Sequence, residues 1–170
     1  FGGDGYGTAA WIGSANANAN ATGTVTVSAG KLAIGTGAGS DASINLGVNI
    51  GGTGIKSGTL VINGGTVEVG RRILMGANAA TSVGLLTISS GTLDMKRTGS
   101  AAEGDLGMIR FGDGNNTVNF DGGTAILSGL HVSGAVSARS TINFNGTILR
   151  ANATTTDFIV GHAPRAIAIV

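Results

Sequence analysis

Apolar and polar residues alternate over short stretches of this chain, and the alternation returns as one phrase five times. An alternating run leads into a polar corner closed by Gly, and a second alternating run follows. The phrase reads GTVTVSAGKLAI from Gly23, GTLVINGGTVEV from Gly58, GLLTISSGTLDM from Gly84, NTVNFDGGTAIL from Asn116 and STINFNGTIL from Ser140. Strand side chains alternate sides with period two. The first runs therefore point Val25/Val27, Leu60/Ile62, Leu86/Ile88, Val118/Phe120 and Ile142/Phe144 to one face, and the second runs add Leu32/Ile34, Val67/Val69, Leu93/Met95 and Ala125/Leu127. These positions are the expected core.

A third, shorter apolar element follows each pair and ends in or near Gly: INLGVNIG around Leu46, ILMG at Ile73, MIRFG at Met108, LHVSG at Leu130 and FIVG at Phe158. AWIG at Trp11 reads as the same element of a preceding repeat. Anchored on the Gly before each second run (Gly30, Gly65, Gly91, Gly123, Gly146), the repeats are spaced 35, 26, 32 and 23 residues apart. That spacing describes a constant unit closed by a loop of variable length. Such units cannot bury their apolar faces singly and must stack. The expected fold is all-β, a single-stranded right-handed parallel β-helix (β-solenoid) of about five to six coils with three short strands each. Residues 1–170 are expected to form one such segment, continued in a longer repeat chain or fibre.

Stacking at about 4.8 Å per strand sets equivalent side chains over one another. Phe120 should lie on Phe144, and the corner residues Ser28, Asn63, Ser89, Asp121 and Asn145 should hydrogen-bond local backbone. The Gly after each corner should supply positive φ. In the fifth phrase the corner is one residue short, which puts Arg150 where Ile34 and Leu127 point inward and predicts a bulge or the end of the core there.

Composition narrows the picture. Hydrophobic residues make up 42% but aromatic ones 4%, with 32 Gly and one Pro, so the core is thin and aliphatic. Charged residues make up 11%, against roughly 25% in an average soluble domain, and the net charge of +1 carries no block of one sign. A nucleic-acid partner is not expected. The chain has no Cys, which excludes disulfides and thiolate sites. No run approaches the roughly 18 apolar residues of a membrane span. The chain starts at Phe1 without an initiator Met or a signal peptide and ends on the apolar run Ala166 to Val170, so it is expected to be a segment of something longer or a fibre subunit.

Candidate chemistry is sparse. Asp4, Asp41, Asp94, Asp105, Asp113, Asp121 and Asp157 are scattered at about one per repeat. Glu68 and Asp94 share one outward column, at the roughly 5 Å separation a retaining-glycosidase pair would need, but the sequence shows no organised neighbours and they read as a solvated face. FGGDGYG at Phe1 and FGDGNN at Phe111 lack the nonapeptide spacing of calcium-binding solenoids, so Asp4 and Asp113 read as turn residues. His131 and His162 have no second ligand at metal spacing, Arg71-Arg72 reads as a solvated corner, and no cofactor is expected. The outward positions Thr24-x-Thr26, Thr59-x-Val61, Leu85-x-Thr87, Thr117-x-Asn119 and Thr141-x-Asn143 form a partial Thr/Asn ladder of the kind that orders water at an ice surface.

The phrases GTLVINGGTVEVG and GLLTISSGTLDM resemble the autotransporter-associated β-strand repeats of bacterial passenger domains. They are equally similar to the exported repeat proteins of planctomycetes and verrucomicrobia that carry a C-terminal sorting signal. The resemblance runs from about Ala10 to Val160. It implies export, an extracellular or bacterial cell-surface location, and a structural or adhesive role. The leading expectation is a non-catalytic structural protein, a passenger stalk or filament subunit; a binding module for a surface glycan or ice comes second, and a polysaccharide lyase or hydrolase third. Open strand edges at both ends of a stack are templates for further pairing. Self-association, end-to-end or lateral, is therefore expected, with Ala166, Ile167, Ala168, Ile169 and Val170 meeting the next subunit near Trp11.

Overall fold

The computed structural model describes residues 9–37, 42–98, 106–132, 139–152, 159–160 and 168–169. All the described regular elements are β-strands, and every pairing between them is parallel. Parallel strands cannot be joined by tight hairpins, so each strand pairs with its counterpart in a neighbouring repeat. A six-stranded sheet runs in chain order through Ala9–Ile12, Ser43–Leu46, Arg72–Met75, Met108–Phe111, Gly129–Val132 and Ile159–Val160, the third elements of successive repeats. A nine-stranded sheet holds the first and second runs.

The register places the expected inward columns in line. Val27 pairs with Ile62, Ile62 with Ile88, Ile88 with Phe120 and Phe120 with Phe144. Val25, Leu60, Leu86, Val118 and Ile142 form the parallel column two residues earlier. Leu60, Ile62, Leu86, Ile88, Val118, Phe120 and Ile142 are completely excluded from solvent. They belong to one apolar core that also takes Val67, Val69, Leu93 and Met95 from the second runs and Ile44, Leu46, Ile73, Met75, Ile109 and Phe111 from the six-stranded sheet. The rings of Phe120 and Phe144 stack with centroids 5.1 Å apart and planes 10° from parallel. Phe144 is the outlying member of this column, 37% exposed.

Several expectations need correction. First and second runs are not always separate short strands: Lys56–Val69 and Val83–Met95 are continuous strands of 14 and 13 residues, and each carries both runs of its repeat. The ladder passes through the corner there with a register shift, Asn63 pairing with Ser90. The fifth corner is not short either. Thr124 pairs with Ile148, Ala125 with Leu149 and Ile126 with Arg150, so Phe120-to-Thr124 and Phe144-to-Ile148 contain the same number of residues. Thr147 takes the place that the sequence pattern gives to a Gly, and Arg150 points outward and is exposed. At the fourth and fifth corners the side chains link repeats: Asn145 Nδ2 donates to Asp121 Oδ1 at 2.8 Å. A further short pairing, Ala15–Asn16 with Asn49–Gly51, has no counterpart in the expected pattern.

Positive φ occurs at Gly30, Gly91, Gly123 and Gly146, as expected of the corners, whereas in the second repeat it falls on Gly64 rather than Gly65. The constraint is sharper after the third elements. Gly13 and Gly47 have φ of 58° and 62°, and a Cβ there would sit 1.8 Å from the Ser57 carbonyl oxygen and 2.0 Å from that of Val83. Only glycine allows the backbones to cross this closely.

Ile88 lies at the middle of the apolar column, between Ile62 and Phe120. Ile88→Ala should lower unfolding free energy by about 2–5 kcal/mol, measured by urea denaturation. Ile88→Asp should leave no cooperative transition, because an unpaired carboxylate would be trapped between apolar neighbours.

Candidate functional site

Glu68 and Asp94 do share an outward column, paired directly between Ala33 on one side and Ile126 on the other. Contrary to the sequence reading, their neighbours are organised. Lys31 Nζ lies 2.6 Å from Glu68 Oε2, while Lys96 Nζ lies 3.3 Å from Glu68 Oε1 and 2.5 Å from Asp94 Oδ2. The two carboxylate side chains are 13% and 21% exposed. The Lys31 ammonium, with Lys96 behind it and desolvation opposing them both, holds Glu68 below its usual range. Asp94, then Glu68, raise Lys96 against the same opposition. A glycosidase acid needs a carboxyl shifted upward so that it carries a proton at working pH. Glu68 is shifted the other way.

The Thr/Asn face is in register, with Thr24, Thr59, Leu85, Thr117 and Thr141 in one column and Thr26, Val61, Thr87, Asn119 and Asn143 in the next. Its amides bond along the column: Asn143 Nδ2 donates to Asn119 Oδ1 at 2.7 Å, and Asn119 Nδ2 to Thr87 Oγ1 at 3.2 Å. Val61 and Leu85 interrupt it, so it is a cross-repeat ladder more than a regular hydroxyl lattice.

Lys56, which no pattern in the sequence singles out, is fully buried. Its ammonium donates to three carbonyl oxygens, Ala17 at 2.9 Å, Ala19 at 2.8 Å and Gly54 at 3.0 Å. Asn18 and Asn20 accept from the Thr53 and Ile55 amides beside it. The Ala/Asn alternation at residues 15–20 thus docks on the following repeat through side-chain oxygens and a buried cation.

The arrangement with the widest chemical repertoire lies on the outer side of the six-stranded sheet. There the outward column runs Trp11, Asn45, Leu74, Arg110, His131. Unlike the alternating strands, Ser43–Leu46 and Arg72–Met75 are buried on both faces. Val48, Leu74 and Ala77 form a second small apolar cluster, with Trp11 packed against it. Arg71 and Arg72, expected as a solvated corner, are each 4% exposed. A cleft of about 140 Å³ opens here, between the strand side chains Trp11, Asn45, Arg72, Leu74 and Arg110 and the loop residues Asn78 and Asp113. Asn78 holds φ of 68°, a left-handed conformation that Asn tolerates better than most side chains. The cleft combines an indole, two guanidinium groups, two amides and one carboxylate.

Of the residues expected to mediate association, Trp11 lines this cleft. Ala168 and Ile169 pair with Thr141 and Ile142 as a further strand of the nine-stranded sheet. Ala166, Ile167 and Val170 lie outside the described residues, as do Asp4, Asp41, Asp105, Asp157 and His162. Among the described residues no three His, Asp or Glu side chains gather as a metal site would require. Asp113 lines the cleft. The cleft was within reach of a period-two reading of the third elements, since Trp11, Asn45, Arg110 and His131 are the aromatic and polar residues interrupting otherwise apolar strands.

No family model, curated protein or solved structure gives a significant match to the chain.

Two tests follow from these side chains. Glu68→Gln should melt below the wild type at pH 7 by an amount worth about 1 kcal/mol or less, as ion pairs with a solvent-accessible lysine are. Glu68 contributes above its ordinary value of 4.5 and loses that contribution as the pH falls through its lowered pKa. Lys96 contributes below 10.5 and loses it as the pH rises through its raised value. The gap between the two proteins should therefore close in acid. Lys56→Met should cost about 1–3 kcal/mol, by leaving buried carbonyls without their donor, read as a shift in urea midpoint.

Proposed function

We propose that this chain is a section of a non-catalytic structural rod, a right-handed parallel β-helix displayed extracellularly or on a bacterial surface as a passenger stalk or filament subunit. The observation that supports the reading is the equality of offsets. Val27–Ile62 and Leu32–Val67 are both 35 residues apart, and Ile62–Ile88 and Val67–Leu93 are both 26. Phe120–Phe144 and Thr124–Ile148 are both 24. First and second runs thus advance together, as they do when a chain winds once per repeat and lets its loops absorb differences in length. Right-handedness is the rule for parallel crossovers. The ionised, lysine-bridged Glu68 favours the non-catalytic reading over a polysaccharide hydrolase, and the pairing of Ala168–Ile169 onto Thr141–Ile142 supports a stack that can be extended.

Removal of one whole winding is the direct test. Deleting residues 58–83 should leave a folded, cooperatively melting protein with near-identical circular dichroism per residue, because Gly84 can take the place of Gly58. Deleting half that length should abolish folding. If both deletions unfold the chain, it is not built of stacked windings. Electron microscopy of the native material addresses the role: fibres or elongated stalks are expected, and monodisperse compact particles with no flanking chain would count against it.

A further inference from the structure

We infer that the cleft beside Trp11 binds a pyranose residue that carries a carboxylate, with the indole against the ring's apolar face and Arg72 and Arg110 facing the acid. The structural-rod reading does not require this; it concerns what the outer side of the rod recognises. A pyranose offers a face of C–H groups ringed by hydroxyls, which suits one aromatic wall bordered by planar polar side chains. Trp11 is that wall, held by Val48, Leu74 and Ala77. Asn45 and Asn78 supply amides that both donate and accept. The volume of about 140 Å³ suits one ring.

Charge selects among sugars. The lining holds two guanidinium groups and one carboxylate, a local excess of +1 in a chain whose total is also +1. Arg72, Arg110 and Asp113 each already have a partner within the fold. A guanidinium carries five N–H donors in a fixed fork and pairs with carboxylates in bidentate geometry. Arg72 is almost wholly buried and Arg110 partly so, which strengthens such a bond relative to one made in water. The lining comes from four successive strands and the segments that follow three of them, with Trp11, Asn45, Leu74 and Arg110 brought into one column by register.

The chain contains a single Trp, so its emission reports on this cleft. Titration of the intact protein with glucuronate should change Trp11 fluorescence saturably, and glucose should bind at least about tenfold more weakly. Sodium acetate and sulfate should give no saturable change. Arg110→Gln should weaken glucuronate binding about tenfold or more while leaving the circular dichroism intact. Asp113→Asn removes the like charge and should tighten glucuronate without tightening glucose, so the proposal remains testable if Arg110→Gln fails to fold. A short oligoglucuronide run in parallel separates an internal sugar residue from a free one; tighter binding of either form supports the site. Absence of a saturable response to both uronates, an equal response to acetate, or unchanged glucuronate affinity in a folded Arg110→Gln and in Asp113→Asn would overturn it.

Discussion

Each described strand of this protein hydrogen-bonds in parallel to a counterpart one repeat away, and everything else depends on that register. A slip of one residue would turn every inward side chain outward. Val27, Ile62, Ile88, Phe120 and Phe144 remain in line across five repeats although the intervening lengths vary. The variation is therefore confined to the connections. Gly13 and Gly47 make this possible, since their positive φ and missing Cβ let the chain leave the six-stranded sheet against the Ser57 and Val83 carbonyls. Aliphatic columns supply the stabilisation and glycines permit the turns between them.

The inward columns were legible because period-two alternation is a local property of each run. The fifth corner was not, since aligning Gly146-Thr147 with Gly123-Thr124 matches letters, whereas the ladder counts residues from Phe144 and sets Ile148 opposite Thr124. That count turns Arg150 from an apparent core defect into an ordinary exposed side chain. Burial of Arg71, Arg72 and Lys56 was illegible for a different reason. Their cover comes from contacts distant in sequence, such as the Ala17 and Ala19 carbonyls on Lys56, and no local period encodes them. The Glu68–Asp94 pairing was visible as a column, but Lys31 lies on the neighbouring strand and Lys96 beyond the strand end, so their convergence required the register.

A chain with 11% charged residues has few groups with which to define a surface, and here several of them join repeats. Lys31 and Lys96 bridge Glu68 and Asp94 between adjacent strands, and Asn143, Asn119 and Thr87 form a continuous polar ladder. Such cross-strand pairs each contribute modestly. Their larger effect is on specificity, because an apolar column of similar aliphatic residues tolerates a shift of one whole repeat, while a carboxylate brought opposite the wrong residue does not.

The cleft depends on the same register as the core. Trp11, Asn45, Leu74 and Arg110 come from four repeats and share one outward column because Ala10, Ile44, Ile73 and Ile109 share the inward column beside it. A binding surface assembled in this way is fixed by strand geometry, with the loops at Asn78 and Asp113 adding its polar rim. Substitutions in the outward column therefore alter recognition without touching the aliphatic stack, since inward and outward positions alternate strictly. The third elements have this freedom because Val48 and Ala77 already cover part of their outer face, giving Trp11 an apolar support that the Thr/Asn face of the first runs lacks. A stacked β architecture can thus keep its core constant from repeat to repeat and carry different chemistry on one outer column.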